Sequence, residues 1–352
     1  MSGLRECPLL HVSDPNVTRY RPESSVQLST TMKFISACSW LVWLLPLAYS
    51  LPSSEIVSRD FGFSKIKKTF IFGDSWSRIG FEVTKTQPSD SNPFGNTGST
   101  SSNGLNWVHY MTSTYNSSLF WTYDFALSGA TIDGDIVTGS TGRDVDGELN
   151  DGFLPAYGSQ EGFFDETNSL FVIWIGINDL VNSYLGDDVH PALFIRLREL
   201  VNDMHEAGAR QFVFINAPPL ERSPRVTGSS ANATRVPAMT AAVADYNKRM
   251  LQLANAVNHD LAYTTVFHFD VYTLMDTVIS RPSRFALTAG YKDTLSYCSA
   301  YQDGTDEVDT KLDDCEFASN EYLWLNNLHP TQPFHQLVAK KVTEDLKNGS
   351  SL

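Results

Sequence analysis

The chain has 352 residues, of which 42% are hydrophobic, and a formal net charge of -14 at pH 7. That length holds one large α/β domain or two ordinary ones, and the apolar fraction is that of a globular protein with a packed core. The acidic balance argues against a nucleic-acid partner, because neutralising phosphates takes clustered Lys and Arg.

Met32 and Lys33 lead into an apolar stretch over 34–48 that contains Pro46 and ends at Ala48, Tyr49 and Ser50, the small-x-small form of a signal-peptidase site. A secretory signal over 32–50 is the expected reading. The stretch is shorter than the roughly 20 residues of a membrane span, and no later stretch approaches that length, so no stable membrane anchor is expected. A signal normally begins a chain, so translation is expected to start at Met32, with residues 1–31 an extension of the gene model. The secreted, extracellular protein is then one domain over 51–352. It retains two cysteines, Cys298 and Cys315, an even pair that closes a short loop and reads as one disulfide. Three N-x-S/T acceptors, at Asn116, Asn232 and Asn348, fit glycosylation.

Thr69, Phe70, Ile71 and Phe72 form a strand-favouring run that breaks at Gly73 and then presents Asp74 and Ser75. In open α/β sheets ligands bind just beyond the carboxyl ends of the strands, which is where Ser75 would stand. Residues 87–103 are rich in Gly, Ser, Thr, Asn and Pro and read as a long surface loop that could border a cleft. A short amphipathic helix is expected over 105–115 and a strand over 123–127, ending at Ser128, Gly129 and Ala130. Residues 170–177 are almost continuously apolar, a buried strand ending at Asn178 and Asp179. A helix over 191–207 follows, then a strand over 211–216, a helix starting at Pro237, and a fifth strand over 266–271. Residues 285–320 lose this periodicity and hold both cysteines, so an irregular, disulfide-tied insertion is expected there. Leu328, His329, Pro330 and Thr331 precede a last helix over 332–347, with Thr331 as its N-cap.

Alternation of strand and helix predicts an α/β protein, a parallel sheet of about five strands with helices on both faces. In such a sheet Ser75, Gly129 and Asn178 would meet at one edge. Ester hydrolysis needs a nucleophile, a base and donors aimed at the developing oxyanion, and Ser75, a histidine and this edge can supply them.

At these residues the chain resembles the SGNH (GDSL) hydrolases, and among them the fungal acetylesterases of carbohydrate esterase family 16. Gly73, Asp74 and Ser75 match the serine block, Gly129 the glycine block, Gly176, Asn178 and Asp179 the G-x-N-D block, and His329, Pro330 and Thr331 the end of the histidine block. The acetylesterase branch is indicated by Gln87, Pro88 and Ser89, by Asn106 and Trp107, and by the wider runs around Gly129 and Asn178. The resemblance implies a flavodoxin-like three-layer α/β/α sandwich and a serine esterase that needs no metal or cofactor. Ser75 would be the nucleophile and His329 the base. The oxyanion hole would be the backbone N–H groups of Ser75 and Gly129 with the Asn178 side chain, and Asp74 would fix the serine turn.

The family's D-x-x-H aspartate falls on Asn326. The ring of His329 would then be oriented by the Asn326 oxygen, by a backbone carbonyl, or by an acid such as Asp313, Asp314 or Glu321. A second D-x-x-H-P occurs at Asp187 to Pro191, where Asp188 reads as a helix-start residue and His190 as a loop histidine. Trp76, Trp107 and Trp121 could offer a sugar-stacking face or fill the core. The first reading is a secreted esterase that removes O-acetyl groups from sugars or hemicellulose-derived oligosaccharides, with no protein partner implied. The others are a lipase or phospholipase of the same superfamily and, because of Asn326, a non-catalytic glycan-binding protein on this scaffold.

Overall fold

The computed structural model describes residues 61–160, 162–349 and 351–352. The expected gene-model extension over 1–31 and the expected signal over 32–50 lie outside the described residues. Five strands, β1 (Lys68–Gly73), β2 (Trp121–Asp124), β3 (Ser169–Trp174), β4 (Gln211–Ile215) and β5 (Thr265–Phe269), form one sheet. All neighbours are parallel and the order is β2-β1-β3-β4-β5. This is the flavodoxin order, in which β1 and β3 flank the point where the winding reverses.

A central strand in such a sheet is covered on both faces, which is why β1 reads as an unbroken apolar run. On one face Phe70 stacks against Tyr123 and Phe171, and Phe72 against Phe125. Phe153 meets both Phe70 and Phe72 from a wide, π-type helix (Glu148–Gly158) that the sequence reading did not anticipate. This helix packs with His190–Glu206, which in turn packs on Asn232–Asp260, making one outer layer. On the other face Trp174 meets Trp76 and Trp107 edge-on. Helices Trp107–Ser113, Gln332–Asn348 and Val271–Ser280 close the second layer. No helix among the described residues is long and apolar enough to cross a membrane.

Several local expectations are corrected. The helix expected to be amphipathic over 105–115 is Trp107–Ser113, and every residue from Trp107 to Thr112 is buried, because it is roofed by the last helix. Its N-terminal N–H groups are taken by Asn106, whose side-chain oxygen accepts from Val108 and His109. Pro237 lies inside the Asn232–Asp260 helix rather than at its start. At this sixth position the proline removes the bond that its N–H would have made to the Ala233 carbonyl, and its ring crowds that carbonyl. Thr331 occupies the N-cap position, but its hydroxyl donates to the Tyr322 carbonyl; the Tyr291 hydroxyl accepts the Phe334 N–H instead.

Residues 285–320 carry only single 3-10 turns and one isolated bridge, from Asp293 to Tyr322, as their lost periodicity implies. Here Tyr301, Cys315, Tyr322 and Leu325 make a small core of their own, and the sulfurs of Cys298 and Cys315 stand at bonding distance. Asn232 and Asn348 are exposed and Asn116 is half-buried in a loop.

A segment with so little core depends on its crosslink. Replacing both cysteines by serine is expected to cost about 2–4 kcal/mol, from the loop-closure entropy returned to the unfolded chain. Urea unfolding followed by tryptophan fluorescence measures it, and an unchanged midpoint would rule the bridge out as a stabilising element.

Candidate active site

The serine turn follows from close packing at the end of β1. A Cβ on Gly73 would stand 2.1 Å from the Trp174 carbonyl oxygen, so only glycine lets β1 leave the sheet against β3. The next residue, Asp74, is fully buried and accepts the Trp76 N–H at 3.0 Å, while its carbonyl accepts from Ser77 and Arg78. Its carboxyl is pushed up to about 7 by burial, against the pull of the Trp76 N–H. Held in this way, the turn presents Ser75 at the floor of a cavity of about 350 Å³.

His329 reaches the same cavity from the segment ahead of the last helix. Two backbone bonds, Leu325 N–H to the His329 carbonyl and Thr331 N–H to the Leu323 carbonyl, fix that segment. The Ser75 Oγ lies 2.7 Å from His329 Nε2. On the far side of the ring, Nδ1 lies 3.0 Å from Asn326 Oδ1. The same oxygen accepts the backbone N–H groups of Leu328 at 3.0 Å and His329 at 2.9 Å. Two N–H donors can converge only on an acceptor, so this atom of the amide is the oxygen, and Nδ1 must carry the proton that bonds to it. That leaves the Nε2 lone pair facing Ser75. Burial, with the Arg225 guanidinium as a smaller cause, pushes the His329 imidazole down to about 4.

Among the residues lining this cavity, Ser75 and Gly129 each have a backbone N–H with no acceptor among the described residues. Gly129 has φ of 80°, and a Cβ there would meet the hydroxyls of Ser140 and Thr141 at 2.8 Å. The left-handed turn therefore needs glycine. The Asn178 amide nitrogen donates to the Ala130 carbonyl at 2.9 Å and reaches Asp74 Oδ2 only at 3.4 Å. One of its hydrogens is firmly held and the other loosely.

Further carboxyl groups tie these turns together. Glu148 accepts the N–H groups of Gly73 and Leu127, Asp179 accepts that of Ile132, and Asp124 accepts those of Ile79 and Ala126. All three acids are buried. Burial raises each of them, Asp179 to about 7, Asp124 to about 8 and Glu148 well above its ordinary value. The sequence reading singled out neither Glu148, Asp124 nor Arg225. An acid set among Val145, Leu149 and Phe153 was the available signal for Glu148, whereas nothing local marks Arg225.

Other residues stand away from the site. His190 is the first residue of its helix rather than a loop residue, and its Nδ1 lies 2.8 Å from Asp245 Oδ2. Asp188, His190 and Asp245 together form a group with metal-ligand spacing. Asp245 is already paired to Arg249 at 2.7 Å, and Asp188 accepts the His190 N–H, so these donors are committed to holding the helix start. Glu321 pairs with Lys292, and Asp313 and Asp314 are exposed, so none of the three orients His329. Trp76 and Trp107 are fully buried in the core. Trp121 opens β2 at the opposite end of the sheet, under Lys68, and donates to Asp90. No sugar-stacking face is made by these three.

The family model for the GDSL-like lipase/acylhydrolases matches residues 69–342. An acetylesterase of Thermothelomyces thermophilus is 30% identical over 305 residues, covering 80% of this chain and 88% of that protein. An acetylesterase of Hypocrea jecorina is 23% identical over 320 residues, covering 78% and 87%. The solved acetylxylan esterase Axe2 of Geobacillus stearothermophilus superposes with a TM-score of 0.45 at 14% identity, over 80% of this chain and 94% of that one. With a match that runs from β1 through most of the last helix, the chain belongs to the GDSL-like lipase/acylhydrolase (SGNH hydrolase) family and is a carboxylic ester hydrolase.

Proposed function

We propose that the protein is a secreted serine esterase that removes acetyl groups from hydroxyls of sugars or hemicellulose-derived oligosaccharides. The observation that carries this reading is the Ser75–His329 contact at 2.7 Å at the floor of a polar cavity. That cavity is lined by Ser101, Ser128, Ser140, Thr141, Asn182 and Asn327, with Val181 and Leu328 its larger apolar members. Hydroxyl and amide groups suit a hydroxylated leaving group, and so few apolar residues suit a two-carbon acyl group better than a long chain. The naming of both fungal relatives as acetylesterases supports the same reading. The signal-like stretch over 34–48 supports secretion.

In this reaction Ser75 Oγ attacks the ester carbonyl while its proton passes to His329 Nε2. The carbonyl oxygen becomes the oxyanion, held by the N–H groups of Ser75 and Gly129 and by the loosely held hydrogen of Asn178. Each such donor is worth about 3–4 kcal/mol in the transition state. The intermediate collapses as the His329 proton moves to the departing sugar oxygen, leaving acetyl-Ser75. Water then attacks the acyl carbonyl, giving its proton to His329, and the second intermediate collapses as the bond from the acyl carbon to Ser75 Oγ breaks, His329 returning that proton to Oγ while acetate leaves. Asn326 supplies the orienting half of the triad acid's task, the correct tautomer, without the negative charge that would stabilise the imidazolium.

Ser75→Ala and His329→Ala are each expected to lower kcat on 4-nitrophenyl acetate by at least about 10³-fold, whereas His190→Ala is expected to stay within about twofold of the parent. An active Ser75→Ala protein, or a dead His190→Ala protein beside an active His329→Ala one, would overturn the assignment. Acetyl esters are expected to exceed decanoyl esters in kcat/KM, and the opposite order would favour the lipase reading.

The base works only as neutral imidazole, so a depressed value moves the acid limb of kcat/KM down, to about pH 4. Asn326→Asp adds the charge that favours imidazolium, so it is expected to move that limb up by about one unit or more and to raise kcat at pH 7. A gain below about twofold, with Asn326→Ala equally active, would leave position 326 without a role in orienting the ring.

A further inference from the structure

The catalytic cavity shares different walls with two spaces of contrasting character. One, a groove of about 670 Å³, brings Asp303 and Asp306, among amides and hydroxyls, up to Asn326 and His329. The other, a cavity of about 410 Å³, shares Val181, Asn182, Arg225 and Asn327 with the catalytic cavity. That second cavity is lined by two arginines, Arg225 and Arg235, and by no carboxylate.

Among the described residues the side chains of Arg225 and Arg235 have neither an ion-pair partner nor a hydrogen-bond acceptor. Several other described arginines are paired, Arg196 with Asp133, Asp146 and Glu199, Arg222 with Asp276, and Arg249 with Asp245, whereas the unpaired Arg143, Arg281 and Arg284 line neither this cavity nor the catalytic one. With 40 acidic residues against 26 basic ones, two adjoining arginines without a carboxylate are what the composition makes least common. Arg225 also lines the catalytic cavity, and its field is felt at His329, while Arg235 lines the neighbouring cavity alone. A guanidinium offers a planar fork of donors that matches a carboxylate in two-point contact, a match a neutral sugar hydroxyl does not provide.

We propose that the cavity bordered by Arg225 and Arg235 is a subsite for the carboxylate of a uronic acid residue, so that the preferred substrate is an acetylated oligosaccharide bearing a uronosyl unit beside the acetylated sugar. The proposal rests on the carbohydrate-acetylesterase reading above and adds the charge and direction of the bound chain. The uronosyl unit lies on the arginine side, because Asp303 and Asp306 would repel it on the other. The acidic protein as a whole disfavours anionic ligands, so a preference for one has to arise locally.

The test uses the full-length secreted enzyme and two acetylated xylo-oligosaccharides of equal length, with and without a uronosyl branch, with 4-nitrophenyl acetate as a reference. The parent enzyme is expected to show a kcat/KM about tenfold higher on the branched acid, the worth of one good charge-assisted contact. That preference is expected to shrink as salt is raised from about 20 mM to about 0.5 M. Arg235→Gln is expected to remove most of the preference through KM, with the neutral oligosaccharide and 4-nitrophenyl acetate within twofold of the parent. Arg225→Gln is expected to remove it as well, and to raise the acid limb of the pH profile by relieving the charge near His329. Equal kcat/KM on the two oligosaccharides in the parent, or an Arg235→Gln loss shared equally by both, would overturn the subsite while leaving the acetylesterase reading intact. Hydrolysis of 4-nitrophenyl acetate with neither oligosaccharide a substrate would overturn the carbohydrate reading and the subsite with it.

Discussion

Carboxyl groups buried beneath the site hold the turns that make it. A parallel sheet delivers the carboxyl ends of β1, β2 and β3 to one edge, but what leaves that edge is irregular backbone whose N–H groups point inward. Glu148 accepts one N–H at the serine turn, from Gly73, and one at the glycine turn, from Leu127, and so reinforces the direct bond from the Leu127 N–H to the Gly73 carbonyl. Asp179 links the helix after β3 to the glycine turn, through Ile132. Taking a carboxylate out of water is costly, and burial drives all of these groups towards their neutral form. They are kept because removing one would leave buried N–H donors without partners, at about 1–3 kcal/mol each, and would free the turns.

Asn326 connects the chemistry to the electrostatics of the cleft. Its oxygen is committed by two backbone N–H groups before His329 is considered, so the tautomer of the base is set by the local fold of the histidine segment. A carboxylate there would add a charge, and it would also place an anion on the wall that Arg225 shares. With a neutral amide, the positive field of Arg225 remains uncancelled at the cavity. The same substitution therefore weakens support for the imidazolium and leaves a cation available to an anionic ligand.

The parts of this arrangement that depend on chain-local patterns are legible from residues alone. Phe70 to Phe72 must be buried on both faces, Ser75 must follow the strand, and the order of the four blocks points to His329, the histidine that lies against Ser75. Other parts depend on convergence between distant segments. Whether Trp76 and Trp107 face a sugar or a core is decided by the helix Gln332–Asn348 that lies over them, far along the chain. The π-type helix was concealed because Gly152 and Pro155 interrupt Leu149, Phe153 and Tyr157. Arg225 sits in a Ser- and Gly-rich connection, where an unpaired cation looks like any solvated one until the cavity wall is seen. The amide orientation of Asn326 could be posed as a question from the sequence but answered only by the donors around it.

The irregular segment completes the cleft in a way that the sheet could not. Asn103, at φ of 54°, donates to the Thr305 hydroxyl at 2.8 Å and accepts the Thr305 N–H at 2.7 Å. These reciprocal bonds join the Gly- and Ser-rich loop after the serine turn to the disulfide-tied stretch, 202 positions away. Neither partner has a helix or strand to hold it, so each restrains the other, and the Cys298–Cys315 pair limits how far that stretch can move. Asp303 and Asp306 thereby belong to a groove that contains neither Arg225 nor Arg235. The sheet positions the reacting atoms, while the charge gradient along the cleft is set by segments outside it, which is how one catalytic edge can serve substrates that differ in charge.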